Sequence, residues 1–238
     1  MLKTAENVSF GHPDKVCDQI SDAILDECLK QDPRSRVAVE ALGGHGKLSI
    51  MGEVTTNAKF DAAEIARKIY QEIGYEDNLD ILVNITTQSS DIAMGVDTGG
   101  AGDQGIMVGY ACDETEELLP LEHVLATRLI RKLEDVRLAG QSELAKYLLP
   151  DSKAQVTLDG KQVDTVVVST QHQDDVDFDK LKKLVEEEVV RPIVPQANNI
   201  YVNPTGLFVQ GGFEADTGLT GRKITADNYG PQVPVGGG

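Results

Sequence analysis

Positive charge is scarce in this chain. Its 238 residues carry 22 lysines and arginines against 39 aspartates and glutamates, for a formal net charge of −17. A nucleic-acid duplex needs a basic face and an exterior this acidic would repel it, so no nucleic-acid partner is expected. An anionic small ligand would require the few cations to be gathered locally. Long apolar runs are also missing: none approaches the ~18 residues of a membrane span, and the N-terminus carries no signal-peptide pattern. A cytoplasmic protein with no membrane partner is expected. Cysteine is sparse, with Cys17, Cys28 and Cys112 an odd set without metal-ligand spacing. Disulfides are not expected, and Cys17 and Cys28 fall on a helical pattern as small core residues. What is present is 40% hydrophobic content, enough to bury a real core in one large or two modest domains.

The order of elements repeats. "PDKVCDQISDAILDECLK" places Val16, Ile20, Ile24 and Cys28 at spacing four, the apolar stripe of one helix. "RVAVEALGGHGKLSIMGEVTT" reads as a hairpin around a glycine-rich turn. In "FDAAEIARKIYQEIG", Asp61 and Glu64 form a capping box, Ile65, Ile69 and Ile73 share one face, and Gly74 is the stop. The strand "DILVNI" closes the unit. The same order returns as a helix from Leu121 to about Arg137, the hairpin "AQVTLDGKQVDTVVVST" turning at Asp159 and Gly160, the helix "FDKLKKLVEEEVV" ending before Pro192, and the strand "NIYVN". Even the Phe-Asp start of the second helix recurs, at Phe60 and Phe178. The fold class expected is α+β, in which repeated helix, hairpin, helix, strand units form mixed, largely antiparallel sheets with helices on one face. Few apolar helices remain for the other face, so a subunit interface is expected to cover it.

The segment "GHPDK", residues 11–15, joins a histidine, a helix-initiating proline and an acid in the first turn. Two readings are open. One is a plain helix start with an acid that complements the dipole; the other is a helix N-terminus offering N–H groups, a histidine donor and a hard carboxylate to a magnesium-bound phosphate chain. Asp14, Asp18, Asp22 and Asp26 make an acidic stripe at spacing four, most of which reads as a solvated face. "GGAGDQG" (99–105) and "DTGLTGRK" (216–223) each set an acid among glycines that let backbone approach a ligand. Neither is a Walker loop or a Rossmann fingerprint. Lys153 opens a strand after the polar turn "PDS", and Arg222 and Lys223 are adjacent cations. No nucleophile and base constellation is recognisable.

Eight stretches, in order across almost the whole chain, resemble the S-adenosylmethionine synthetase (methionine adenosyltransferase) family of bacterial and eukaryotic type: "GHPDK", "DQISDA", "GEVTT", "GAGDQG", "VVVSTQH", "NPTG", "GLTGRK" and the terminal "GGG". The resemblance implies that the sulfur of L-methionine attacks C5′ of ATP, expels triphosphate, and that the triphosphate is then hydrolysed to phosphate and diphosphate. A neutral thioether needs no general base, so charge stabilisation on the leaving group is the main task. The implied catalytic residues are His12, Lys153, Arg222 and Lys223. His12 would stand near the C5′ oxygen, and the three cations would grip the phosphates. Asp151 would face the ribose, Phe208 would stack on adenine, and Ser152, Leu207 and Asp216 would complete the ATP contacts. Glu53, Gln88, Asp103 and Asp216 would hold methionine. Asp14 would bind Mg2+ and Glu40 K+. A homodimer or a dimer of dimers, with the site between subunits, is implied. So is an interleaved pair of domains: a central domain of 10–113 plus 211–238 and an N-terminal domain of 1–9 plus 114–210.

Three departures from the family pattern stand out. The stretch between Gln88 and Asp103 is short, so an abbreviated gate is expected. Leu207 replaces a common arginine, which removes a phosphate or adenine contact. The chain ends at Gly236–Gly238, inside a loop, before the family's C-terminal domain with its further lysines and metal-binding aspartate; a truncated, cleaved or split polypeptide is expected, with a separate C-terminal polypeptide as a further partner in the split case. Two functions remain open: an active synthetase, or a non-catalytic nucleotide-binding or assembly subunit.

Overall fold

A computed structural model describes residues 1–87 and 106–235. In chain order the main elements are β1 (Leu2–Val8), α1 (Pro13–Gln31), β2 (Arg36–Gly44), β3 (Lys47–Thr55), α2 (Ala62–Ile73), β4 (Asp80–Thr86), α3 (Leu121–Ala139), β5 (Leu148–Asp159), β6 (Gln162–His172), α4 (Phe178–Val185), β7 (Asn199–Val202) and the two-residue β8 (Gly218–Leu219). The path interleaves two units. The first is Met1–His12, Tyr110–Gly212 and Lys223–Pro234; the second is Pro13–Gly109, Phe213–Arg222 and Val235–Gly238.

In the second unit the sheet order is β4-β3-β2-β8. The β2-β3 hairpin turns at His45 and Gly46, both in the left-handed region at φ 51° and 77°, which suits the tight twist of a two-residue hairpin loop. β4 runs parallel to β3, and β8 antiparallel to β2. One sheet face packs on the helices. Val16, Ile20, Ile24 and Cys28 of α1 are all buried, as are Ala66, Tyr70 and Ile73 of α2, against Val39, Ala41, Leu48, Ile50 and Phe213. Asp61 caps α2 by accepting from the Ala63 and Glu64 amides, and Gly74 ends it in the left-handed conformation at φ 115°.

The first unit repeats this topology. Its sheet order is β1-β5-β6-β7, with an antiparallel β5-β6 hairpin, β7 parallel to β6, and β1 antiparallel to β5. Leu125, Leu129 and Leu133 of α3 and Leu181 and Val185 of α4 cover Ala154, Val156, Leu158, Val166 and Val168 of the strands. The architecture is therefore α+β, with antiparallel-dominated mixed sheets each backed by helices.

Three local readings of the sequence change. "PDS" is part of β5, not a turn: the register breaks between Leu148 and Ser152, and the irregular backbone is satisfied by the side chains of Ser9 and Gln171. The helix begun by α4 passes through Pro192. A π-turn over Glu186–Val190 precedes Arg191–Ile193, and the Arg191 amide already bonds back to the Glu186 carbonyl, so a proline at the next position interrupts less of the ladder. The acidic stripe of α1 is only half solvated. Asp22 and Asp26 are exposed, but Asp14 is buried and Asp18 half-buried.

Candidate functional site

In the second unit the candidate residues gather where the segment Gly218–Arg222 runs along the first turns of α1. Pro13 opens the helix and Asp14 lies in its first turn, 2% exposed. The Leu219 amide donates to Asp14 Oδ1 at 2.9 Å, and the Gly221 amide to Asp18 Oδ1 at 2.8 Å. Thr220 anchors the same strip: its hydroxyl lies 2.7 Å from that of Ser21 and accepts from the Ala41 amide at 2.9 Å. Gly218 is required here, because a Cβ would fall 2.1 Å from the Pro13 carbonyl oxygen. Arg222 Nε lies 3.7 Å from Asp14 Oδ1, while the Arg222 side chain remains 55% exposed. A buried carboxylate is thus placed under a guanidinium that reaches solvent, at a helix N-terminus whose dipole favours anions. Asp216 is exposed, with its carboxylate accepting from the Thr217 amide.

Glu40 and Glu53 are placed differently. Both are exposed on the sheet face opposite the helices, with Glu40 paired across the hairpin to Met51 and Glu53 to Ala38. Within this unit they do not join Asp14. Gln88 and Asp103, and the short gate between them, lie outside the described residues.

In the first unit the candidates surround the irregular start of β5. The Ser9 amide and hydroxyl bond to the Ser152 and Pro150 carbonyls at 2.9 and 2.7 Å, and the Ser152 amide returns a bond to the Ser9 hydroxyl at 2.8 Å. Gly11 lies so close to Pro150 that a Cβ would meet its carbonyl carbon at 2.4 Å, and buried His12 follows with its amide on the Ser9 carbonyl. Asp151 and Ser152 are buried; Lys153, next along the strand, is exposed. Asp151 Oδ2 accepts from the Gly212 amide at 3.0 Å. Its own amide donates to Gln171 Oε1 at 3.2 Å, and Gln171 Nε2 donates to the Val209 carbonyl at 2.9 Å. These bonds fix a loop that carries exposed Leu207 and half-buried Phe208. Lys223 precedes the helical turn Ile224–Asp227 as its N-cap.

Residues 1–96 match the family model for the S-adenosylmethionine synthetase N-terminal domain, and residues 98–208 that for the central domain. The chain belongs to the S-adenosylmethionine synthetase family. It is 50% identical to the S-adenosylmethionine synthase of Fusobacterium nucleatum, an alignment covering 99% of this chain and 65% of that relative. The chain thus spans about two thirds of the length of the curated relative it matches.

Against this S-adenosylmethionine synthetase background the metal sites can be tested on the donor set. Among the described residues no three His, Cys, Asp or Glu side chains cluster as a metal cage. Magnesium is commonly held by one or two carboxylates together with substrate phosphates and water, and a single buried carboxylate such as Asp14 fits that mode. Potassium fits less well: Glu40 supplies one carboxylate on an open sheet face, so this chain does not by itself build that site among the described residues. Cys17 behaves as core. Burial pushes its thiol up to about 12, which keeps it unreactive at neutral pH.

Sequence reasoning missed Asp18, Thr220, Gln171 and His172 as supports of the site. For Gln171 and His172 the available signal was the polar run that ends "VVVSTQH" and breaks the alternation of β6; in the structure Thr170, Gln171 and His172 are consecutively buried.

Proposed function

We infer that this chain provides the N-terminal and central parts of a methionine adenosyltransferase that makes S-adenosylmethionine from ATP and L-methionine. The observation that carries this reading is the Asp14–Arg222 arrangement, a buried carboxylate and a solvent-reaching guanidinium locked together at the start of α1 by the "GLTGR" strip. Arg222, Lys153 and Lys223 bind the triphosphate and stabilise the charge that builds as the C5′–O bond breaks. His12 donates to the departing oxygen, Asp151 orients the ribose and Phe208 stacks on the adenine, flanked by Ser152 and Leu207. Glu53, Asp216, Gln88 and Asp103 hold the methionine so that its sulfur lone pair faces C5′. Asp14 would hold Mg2+, which when bound supplies Lewis-acid stabilisation of the phosphates; Glu40 would give one ligand to K+. Hydrolysis of the triphosphate follows at the same cations.

The enzyme is proposed to act as a homo-oligomer, dimer or dimer of dimers, in the cytoplasm. The open sheet face of the second unit supports this, with Leu42, Met51 and Leu82 about half exposed. No described helix is long and apolar enough to cross a membrane. The interleaved path supports a division of the chain into two such domains; by the family models most of the second unit lies in the N-terminal domain match and most of the first in the central domain match. The other reading is a non-catalytic nucleotide-binding or assembly subunit of such an enzyme. Formation of S-adenosylmethionine from ATP and methionine, with magnesium omitted in the control, tests the choice. Magnesium-dependent product supports the enzyme, and ATP binding without product supports the subunit.

A further inference from the structure

We propose that His172 is the positioning residue for Phe208, setting the base-facing loop through the tautomer of its ring. His172 ends β6 and is fully buried. Its Nδ1 lies 2.8 Å from the Gln173 carbonyl oxygen. A carbonyl can only accept, so Nδ1 carries the hydrogen and the lone pair is on Nε2. That lone pair receives the Phe208 amide at 3.0 Å. The His172 amide in turn donates to the Phe208 carbonyl at 2.9 Å. One residue therefore satisfies both backbone groups of Phe208.

The ring has little freedom to do anything else. It packs against Phe178 with centroids 6.1 Å apart and planes inclined by 50°, and the Gln173 amide that follows is tied to the Tyr147 carbonyl at 2.9 Å. Beside the clamp, the bond from Gln171 to Val209 continues the same edge. Leu207, just before the clamp, is 66% exposed. If the ring turned or lost its acceptor, the part-buried Phe208 amide would be left unpaired, and the phenyl ring would no longer be held at a fixed height. The consequence for the base rests on the reading that Phe208 meets adenine; the clamp itself does not.

Two amide substitutions separate the two ends of the imidazole. In His172→Gln the Oε1 atom can occupy the place of Nε2 and accept from Phe208. In His172→Asn the side chain can reach Gln173 but not Phe208. Amide hydrogen exchange read by mass spectrometry on residues 207–212 should show protection in the wild type and in His172→Gln, and roughly tenfold faster exchange in His172→Asn, the scale of one lost hydrogen bond, with β5 unchanged. Calorimetric titration should show ATP affinity falling about tenfold in His172→Asn and not in His172→Gln, with inorganic tripolyphosphate bound equally by all three. Rapid exchange of the wild-type segment, equal exchange in both variants, or equal loss of ATP and tripolyphosphate would overturn the clamp. A wild type with protected residues 207–212 that binds neither ligand would overturn the adenine reading while the clamp stands.

Discussion

Asp14 Oδ1 and the Leu219 amide meet at 2.9 Å although 205 positions separate them in the chain. The bond ties the first turn of α1 to the strip that delivers Arg222, so the acid serves the fold whether or not it also serves the proposed metal site. Asp14→Ala should therefore destabilise the chain by about 1–3 kcal/mol, the cost of leaving a part-buried donor without its acceptor. Asp14→Asn, which keeps an acceptor for Leu219, should lose much less stability while losing the charge that faces Arg222. Urea denaturation of both variants, alongside product formation, checks the separation.

Lys153→Ala and Arg222→Ala should each lower turnover strongly with the fold intact; Lys153→Ala should leave stability within about 0.5 kcal/mol, and Arg222→Ala should cost more, because it removes the guanidinium that faces the buried Asp14 carboxylate. Steady-state kinetics beside a thermal melt is the measurement. Wild-type turnover in both variants would reduce these residues to surface charge.

Gly218→Ala should be more damaging than its one carbon suggests. The added Cβ would lie 2.1 Å from the Pro13 carbonyl oxygen, which is backbone and cannot yield cheaply. The strip must then lift from α1, taking the Leu219 and Gly221 bonds with it, for a loss of about 2–4 kcal/mol. A melt at or near that of the native protein would contradict the packing described.

Acid should weaken the fold through His123. Burial holds its imidazole below the ordinary value of 6.5, outweighing the opposing pull of Glu122 and Asp227. The folded chain then binds fewer protons there than the unfolded chain does. The contribution is intact above pH 6.5 and is lost as pH falls from there through the folded value. Glu134 works in the opposite sense, because burial raises its carboxyl: its contribution is present below pH 4.5 and lost as pH rises through its folded value. The melting temperature should fall between pH 7 and 5.5, and His123→Gln should flatten that slope.

Leu82→Lys should test the open sheet face, where Leu82 is 57% exposed. Sedimentation is expected to show a native oligomer and a monomeric variant with an unchanged circular dichroism spectrum.

Much of the fold was legible because it is local. The spacing of Val16, Ile20, Ile24 and Cys28 names the buried face of α1, Asp61 and Gly74 bound α2, and the repeated element order matches two sheets of one topology. What escaped depends on distant partners. "PDS" looks like a turn until Ser9, 143 residues away, takes the Ser152 amide. Asp18 reads as part of a largely solvated stripe until the Gly221 amide arrives, and Asp14 as a plain first-turn acid or a metal ligand until the Leu219 amide does. His172 looks like the end of a strand until its ring meets the Phe208 amide. The site residues were named by motif, whereas the supports that aim them are visible only in three dimensions.

The interleaved chain path has a consequence at the ribosome. α1 emerges early, yet the strip that covers its first turns is made 205 residues later, a delay of about 10–40 s at ordinary elongation rates of 5–20 residues per second. Over that interval the nascent helix presents a carboxylate without its amide donor, so the second unit can finish maturing only after most of the first has been synthesised.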